Sequence, residues 1–152
     1  MPLITHFGSV AAASVFAIFM IALDHLNIIE GGIFVPISLI VSQVIIHTIK
    51  IIINRPRPNL VLQDIHVFDN LLEYYSFPSG HTAAAFAIAV SITFLIQTVF
   101  IGQVILFIAI LVGISRMYIG VHYPTDVLIG AVISFITVIY LSRYLEIIIN
   151  LI

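Results

Sequence analysis

The chain of 152 residues is 62% hydrophobic and only 8% charged, with a mean hydropathy of +1.26. A water-soluble domain of this size carries about 25% charged residues, so most of this surface must face lipid, and the useful question is how many spans it makes. A net charge of −2 argues against a nucleic-acid partner, and the lack of cysteine removes disulfides and thiolate zinc sites.

Five apolar stretches predict an all-α, polytopic transmembrane bundle of about five spans, a single membrane-embedded domain over residues 1–152. The opening Met1-Pro2-Leu3-Ile4 lacks the basic stretch of a signal peptide, so the first stretch, Phe7 to Leu23, reads as a retained span. It stops at Asp24-His25-Leu26-Asn27. Gly31-Gly32 opens the second, Ile33 to Ile53, which is interrupted late by His47 and Lys50. The third and fourth form a charge-free run from Ala83 to Ile114. As one helix that run would extend about 48 Å against a hydrocarbon core of about 30 Å. It must fold back, and Gln97, Thr98, Gly102 and Gln103 are where a hairpin fits. The fifth stretch runs from Pro124 to Ser142, with Arg143 and Glu146 emerging after it as an i,i+3 surface pair.

The long polar stretch, Asn54 to Ser79, mixes Asp64, His66, Asp69 and Glu73 with leucine and aromatic residues. That composition suits a segment lying along the membrane interface, and Phe68 to Phe77 reads as a lid beside the site.

Counting spans assigns the charges to sides. Lys50, Arg55, Arg57, His81, Arg116, His122 and Asp126 fall at one face, at the ends of four helices, whereas Arg143 falls at the other. Snorkelling under the positive-inside rule explains one such cation. It does not explain four cations with two histidines and a carboxylate at one level, and charges at a hydrocarbon boundary mark function.

Three segments carry the chemistry. In Phe77-Pro78-Ser79-Gly80-His81, Ser79 suits the N-cap of the third helix and Gly80 permits close backbone approach, which makes an anion site of free N–H groups. In the segment from Ser115 to Asp126, Pro124 suits the first helical position. Asp126 then lies in the first turn, where it can reach back to His122 as in a capping box and fix its tautomer. The inert alternative for both is ordinary capping. In Lys50 to Pro58, the prolines end the second helix near Asn54, leaving Lys50 in its last turn and Arg57 on an extended segment folded over the site. Lysine supplies a mobile point charge and arginine a fork matched to phosphate oxygens. No carboxylate or histidine cluster has metal-ligand spacing, so the expectation is metal-independent phosphoryl transfer with no cofactor, in which cations stand where Mg²⁺ would.

These residues resemble the type 2 phosphatidic acid phosphatase family, which includes bacterial phosphatidylglycerophosphate and undecaprenyl-diphosphate phosphatases. Its first motif, Lys-(six residues)-Arg-Pro, is matched by Lys50, Arg57 and Pro58. Its second, Pro-Ser-Gly-His, is matched by Pro78, Ser79, Gly80 and His81. Its third, Ser-Arg-(five residues)-His-(three residues)-Asp, is matched by Ser115, Arg116, His122 and Asp126. The motif core thus spans residues 50–126. The resemblance implies that His122 is the nucleophile, Asp126 its orienting partner and His81 the general acid. It implies that Lys50, Arg57, Ser79, Gly80 and Arg116 hold the phosphate. Arg55, at the wrong distance from Lys50, falls outside that set.

Membrane members of the family usually have six helices, and this chain reads as lacking the first: Thr5-His6-Phe7-Gly8 resembles the start of the second. The implied partners are a lipid phosphate and the surrounding membrane lipids, with homo-oligomerisation left open. The resemblance places the protein in the cell membrane as a multi-pass chain with its site extracytoplasmic. Two other readings remain. One is a phosphotransferase on the same scaffold. The other is a non-enzymatic anion transporter, which charges at helix ends rather than mid-membrane count against. His6, His25, His47 and His66 read as interfacial or packing residues, with His6 and His47 the ones placed to line a pocket.

Overall fold

The computed structural model describes residues 2–61, 75–96, 98–144 and 147. Its elements in chain order are α1 (Pro2–Thr5), a 3-10 turn (His6–Gly8), α2 (Val10–His25), α3 (Phe34–Ile53), α4 (Pro58–Val61), α5 (Gly80–Leu95), α6 (Val99–Tyr118) and α7 (Pro124–Ser142). The fold is all-α: among the described residues extended pairing is limited to one isolated bridge, Pro56 with Tyr75. Asp64, His66, Asp69, Glu73 and Glu146 lie outside the described residues, as does most of the proposed lid.

The five long helices fall on the five predicted stretches, but not all have the same reach. Helices α3, α6 and α7, at 20, 20 and 19 residues, are long and apolar enough to cross a membrane. At 1.5 Å per residue each reaches about 30 Å. Helices α2 and α5 have 16 residues each and reach only about 24 Å.

Each boundary has a local cause. Helix α2 begins at Val10, later than predicted, because the Ser9 hydroxyl accepts from the Ala12 N–H at 3.2 Å and caps it there. Helix α3 ends on Asn54, whose left-handed backbone (φ 51°) only glycine and asparagine adopt readily. Helix α5 ends at Leu95 and α6 starts at Val99, leaving Gly102 and Gln103 inside α6, while Gln97 lies outside the described residues. Gly102 is needed there, since a Cβ would lie 2.9 Å from the Thr93 side chain.

Helix α5 is the centre of the bundle, packing on α2, α3, α6 and α7. Its alanines Ala83, Ala84, Ala85, Ala87 and Ala89 are buried on every side, as expected of a helix enclosed all round. Small side chains bring lipid-embedded helices close enough for dispersion to hold them. One cluster joins Ala84, Ala87 and Val90 to Phe34, Leu39 and Val138; another joins Ala85 and Ala89 to Ala109 and Val112. Outward, Ile18, Phe19, Ile52, Phe100, Phe107 and Ile136 are more than half exposed, a surface fit for acyl chains rather than water.

Candidate active site

Three chain segments meet where α3 and α6 end and α5 and α7 begin. Lys50 lies in the last turn of α3 and Arg116 in the last turn of α6; both are buried. Arg57, 3% exposed, sits between Asn54 and the single turn of α4.

The chain between α6 and α7 reverses through a Schellman cap. Gly120 (φ 78°) donates to the Met117 carbonyl at 2.9 Å and Val121 donates to the Arg116 carbonyl at 3.3 Å. This tight exit returns His122 beneath the end of α6, where it is 3% exposed. Pro124 then starts α7 and Asp126 occupies its first turn, wholly buried.

His122 and Asp126 are brought side by side, but the capping-box bond goes elsewhere. Asp126 Oδ2 accepts the capping-box hydrogen bond from the Tyr123 N–H at 2.9 Å, not from His122. The same oxygen faces His122 Nδ1 at 3.6 Å. With Nδ1 turned toward the carboxylate, Nε2 is left for the cavity that the ring lines. Burial, reinforced by the Arg116 and Arg57 charges and opposed by Asp126, pulls the His122 pKa from 6.5 down to about 4. The imidazole is therefore neutral, and its lone pair available, at physiological pH.

At the head of α5 the Ser79 hydroxyl accepts from the Thr82 N–H at 3.4 Å and shares a 2.8 Å bond with the Thr82 hydroxyl. The Ser79 N–H donates to the Asp126 carbonyl at 3.0 Å, which joins the second and third motifs. Gly130 allows that approach: a Cβ there would lie 2.7 Å from the Ser79 carbonyl oxygen. Gln43 braces the same turn through a 3.2 Å bond to the Gly80 carbonyl.

A cavity of about 580 Å³ opens from this cluster. Lys50, Arg57, Gly80, His81 and His122 line its head, and it continues between α2 and α3 along Ala13, Leu39, Ile40 and Val44. Leu39 lies eleven residues before Lys50, about 16 Å down the helix axis. The cavity thus has a cationic head and an apolar stem. His47 lines it; His6 is exposed and does not.

Of the eight site residues expected from sequence, five line the cavity head, whereas Ser79, Arg116 and Asp126 are buried and do not line it. Two partners were missed. Arg116 Nη1 donates to the Thr5 hydroxyl at 2.7 Å across 111 residues, so the N-terminal turn helps hold this arginine. Arg55, set aside on spacing, ion-pairs with Asp126 at 2.9 Å. No linear spacing carries either contact; only Thr5 and Arg55 being polar groups at the site's level could have marked them.

Residues 31–148 match the PAP2 superfamily. The chain belongs to the PAP2 superfamily. PAP2 relatives include undecaprenyl-diphosphatase BcrC of Bacillus subtilis (strain 168), 36% identical over 97 residues, covering 64% of this chain and 49% of that protein. An undecaprenyl-diphosphatase of Sulfolobus acidocaldarius is 32% identical over 111 residues, covering 70% of this chain and 53% of that one. The chain therefore spans about half the length of the curated relatives it matches.

Two solved structures share the PAP2 fold. A transmembrane PAP2 type phosphatidylglycerolphosphate phosphatase from Bacillus subtilis superposes with a TM-score of 0.80 at 25% identity, covering 94% of this chain and 73% of that one. LpxE of Aquifex aeolicus gives 0.75 at 28% identity, with 94% and 83% covered. With three helices among the described residues long and apolar enough to cross a membrane, and a transmembrane PAP2 phosphatase among its structural relatives, this PAP2 chain is a membrane protein.

Proposed function

We propose that the protein is a lipid phosphate phosphatase working through a phospho-histidine on His122, without a metal ion. The observation that carries this reading is a buried imidazole, its Nδ1 3.6 Å from the Asp126 carboxylate, at the cationic head of a cavity with an apolar stem. Lys50 and Arg57 at the cavity head, the buried Arg116 and the N–H groups at the head of α5 supply the charge that a phosphoryl group needs as its bonds loosen.

In the first step His122 Nε2 donates its lone pair to phosphorus, forming P–N as the P–O bond to the lipid side breaks. His81 gives a proton to the departing oxygen. In the second step water attacks phosphorus, P–N breaks, and inorganic phosphate leaves. His81 takes the proton from that water and is reset. Asp126 holds the Nδ1 proton throughout and stabilises the positive charge the ring acquires.

The apolar stem suits a prenyl or acyl chain descending between α2 and α3 while the phosphate stays at the interface. Undecaprenyl diphosphate is the preferred substrate on the names of two relatives, with phosphatidylglycerophosphate and phosphatidic acid as the alternatives. The family likeness supports a cell-membrane location with the site on the extracytoplasmic face.

Purified protein in detergent, given these three lipids, should release phosphate from at least one and retain its rate in EDTA. Loss of the rate in EDTA, restored by a divalent ion, would contradict the metal-free route. Transfer of the phosphate to an added lipid or sugar instead of water would favour a phosphotransferase.

A further inference from the structure

Arg55 does not line the cavity, yet it lies within the span of the first motif and touches both the third motif and the segment leading into the second. Its Nη1 donates to Asp126 Oδ1 at 2.9 Å and to the Thr125 hydroxyl at 2.8 Å. Its guanidinium carbon stands 3.9 Å above the centre of the Tyr123 ring, a stacked cation–π contact. Its backbone carbonyl accepts from the Ser76 N–H at 2.8 Å, which pins the residue to the segment leading into the second motif. Side chain and backbone are thus both held, while Asp126 itself is fully buried.

The two oxygens of Asp126 divide the work. Oδ2 serves the Tyr123 N–H and faces His122; Oδ1 goes to Arg55. A buried carboxylate needs a compensating cation, and a neutral His122 does not supply one. We propose that Arg55 is the positioning residue of the catalytic dyad: by gripping Oδ1 it holds the Asp126 carboxylate turned so that Oδ2 faces Nδ1 of His122. It acts through Asp126 and does not touch the phosphate. Fixing Oδ1 sets the carboxylate's rotation, and the adjacent positive charge keeps the carboxylate from drawing a second proton onto the resting imidazole.

The proposal rests on the phosphatase reading and adds a role to a residue outside the family's spaced motifs. The charged and titratable groups around His122 are Asp126 on α7, Arg116 on α6, Lys50 on α3, His81 on α5 and Arg57 after α3. Removing Arg55 leaves all of them in place, which makes its effect separable.

The test compares wild type with Arg55→Gln, Arg55→Lys and Arg57→Gln on one lipid substrate. Each is measured for kcat, KM, inhibition by inorganic phosphate and the acid limb of kcat/KM. Arg55→Gln should lose about 100-fold in kcat, the scale of a ~1 Å misplacement of a reacting group, with KM and phosphate inhibition within about threefold. Its acid limb should move up by about one pH unit, because Asp126 relieved of its cation favours the protonated ring. Arg55→Lys should recover part of kcat, and Arg57→Gln should instead weaken phosphate inhibition.

Arg55→Gln matching an active wild type, or raising KM and weakening phosphate inhibition as Arg57→Gln does, overturns the proposal. If Arg55→Gln does not fold, Arg55→Lys decides: lowered kcat at unchanged KM supports the role, and raised KM refutes it. An inactive wild type would refute the phosphatase reading and this proposal with it, so the two failures look different.

Discussion

The two ends of the helix bundle are held together in different ways. At the site end the ties are long in sequence: Arg55 to Asp126, Ser79 to Asp126, Gln43 to Gly80, and Arg116 to Thr5. At the far end, among the described residues, they are local. Asp24 Oδ1, in the last turn of α2, accepts from the Gly32 N–H only eight residues on at 3.0 Å, Ile96 bonds back to Ile92 at 2.8 Å, and the Ser142 hydroxyl bonds the Ile139 carbonyl at 2.9 Å. Local ties shape turns, whereas long ties fix which side chains meet. Lipid-facing helices gain little hydrophobic drive toward one another, so the polar ties at one end are what align three motifs into one site.

Substitutions can break this contrast in a graded way. The largest effect is expected from His122→Ala, which should cut phosphate release by about 10⁴-fold or more while the circular dichroism spectrum stays helical. Next comes a matched pair of glycines. A Cβ at Gly130 would lie 2.7 Å from the Ser79 carbonyl oxygen, and one at Gly32 would lie 2.5 Å from the Met20 carbonyl oxygen. Each Gly→Ala change should cost about 1–3 kcal/mol of stability through overpacking. Only Gly130→Ala should also lower activity per folded molecule, which thermal unfolding and turnover measured on the same sample would separate.

A smaller loss is expected from Thr5→Val, which removes the 2.7 Å bond to Arg116. A hydrogen bond to a charged group contributes roughly 1.5–3 kcal/mol, so kcat/KM should fall by about tenfold or more; an unchanged value would make the N-terminal turn irrelevant to the site. The mildest perturbation is pH. With the His122 pKa lowered from 6.5 to about 4, the ring stays neutral as pH falls through 6.5. The His122 share of kcat/KM should then decline only below about 4, by about tenfold per unit. An acid limb set by His122 near 6.5 would mean that the ring is not desolvated.

The same contrast explains what the sequence could and could not reveal. Pro124 predicted the start of α7 and the apolar run its approximate end near Ser142, and Ser79 predicted the start of α5, because a cap and a period are written in consecutive residues. The first helix was set too early. Residues 6–8 form a 3-10 turn and Ser9 caps α2 at Val10, after the start of the apolar stretch at Phe7. The eight site residues were legible as spaced motifs, and the structure brings them to one end of the bundle. Arg55 was not legible. Its distance from Lys50 along the chain says nothing about Asp126, 71 residues on. Neither Thr5 to Arg116 nor the length of the apolar stem follows from any local pattern, since the first depends on how α1 lies against α6 and the second on how α2 lies against α3.

The most direct measurement is capture of the covalent intermediate. Substrate carrying a ³²P-labelled terminal phosphate would be mixed with enzyme, quenched in alkali, where a phosphoramidate survives, and the labelled peptide located by mass spectrometry. The phospho-histidine route predicts label on His122 that appears within one turnover, decays into inorganic phosphate, and is absent in His122→Ala. Turnover that continues in His122→Ala, or label that forms on another residue at the rate of turnover, would contradict it.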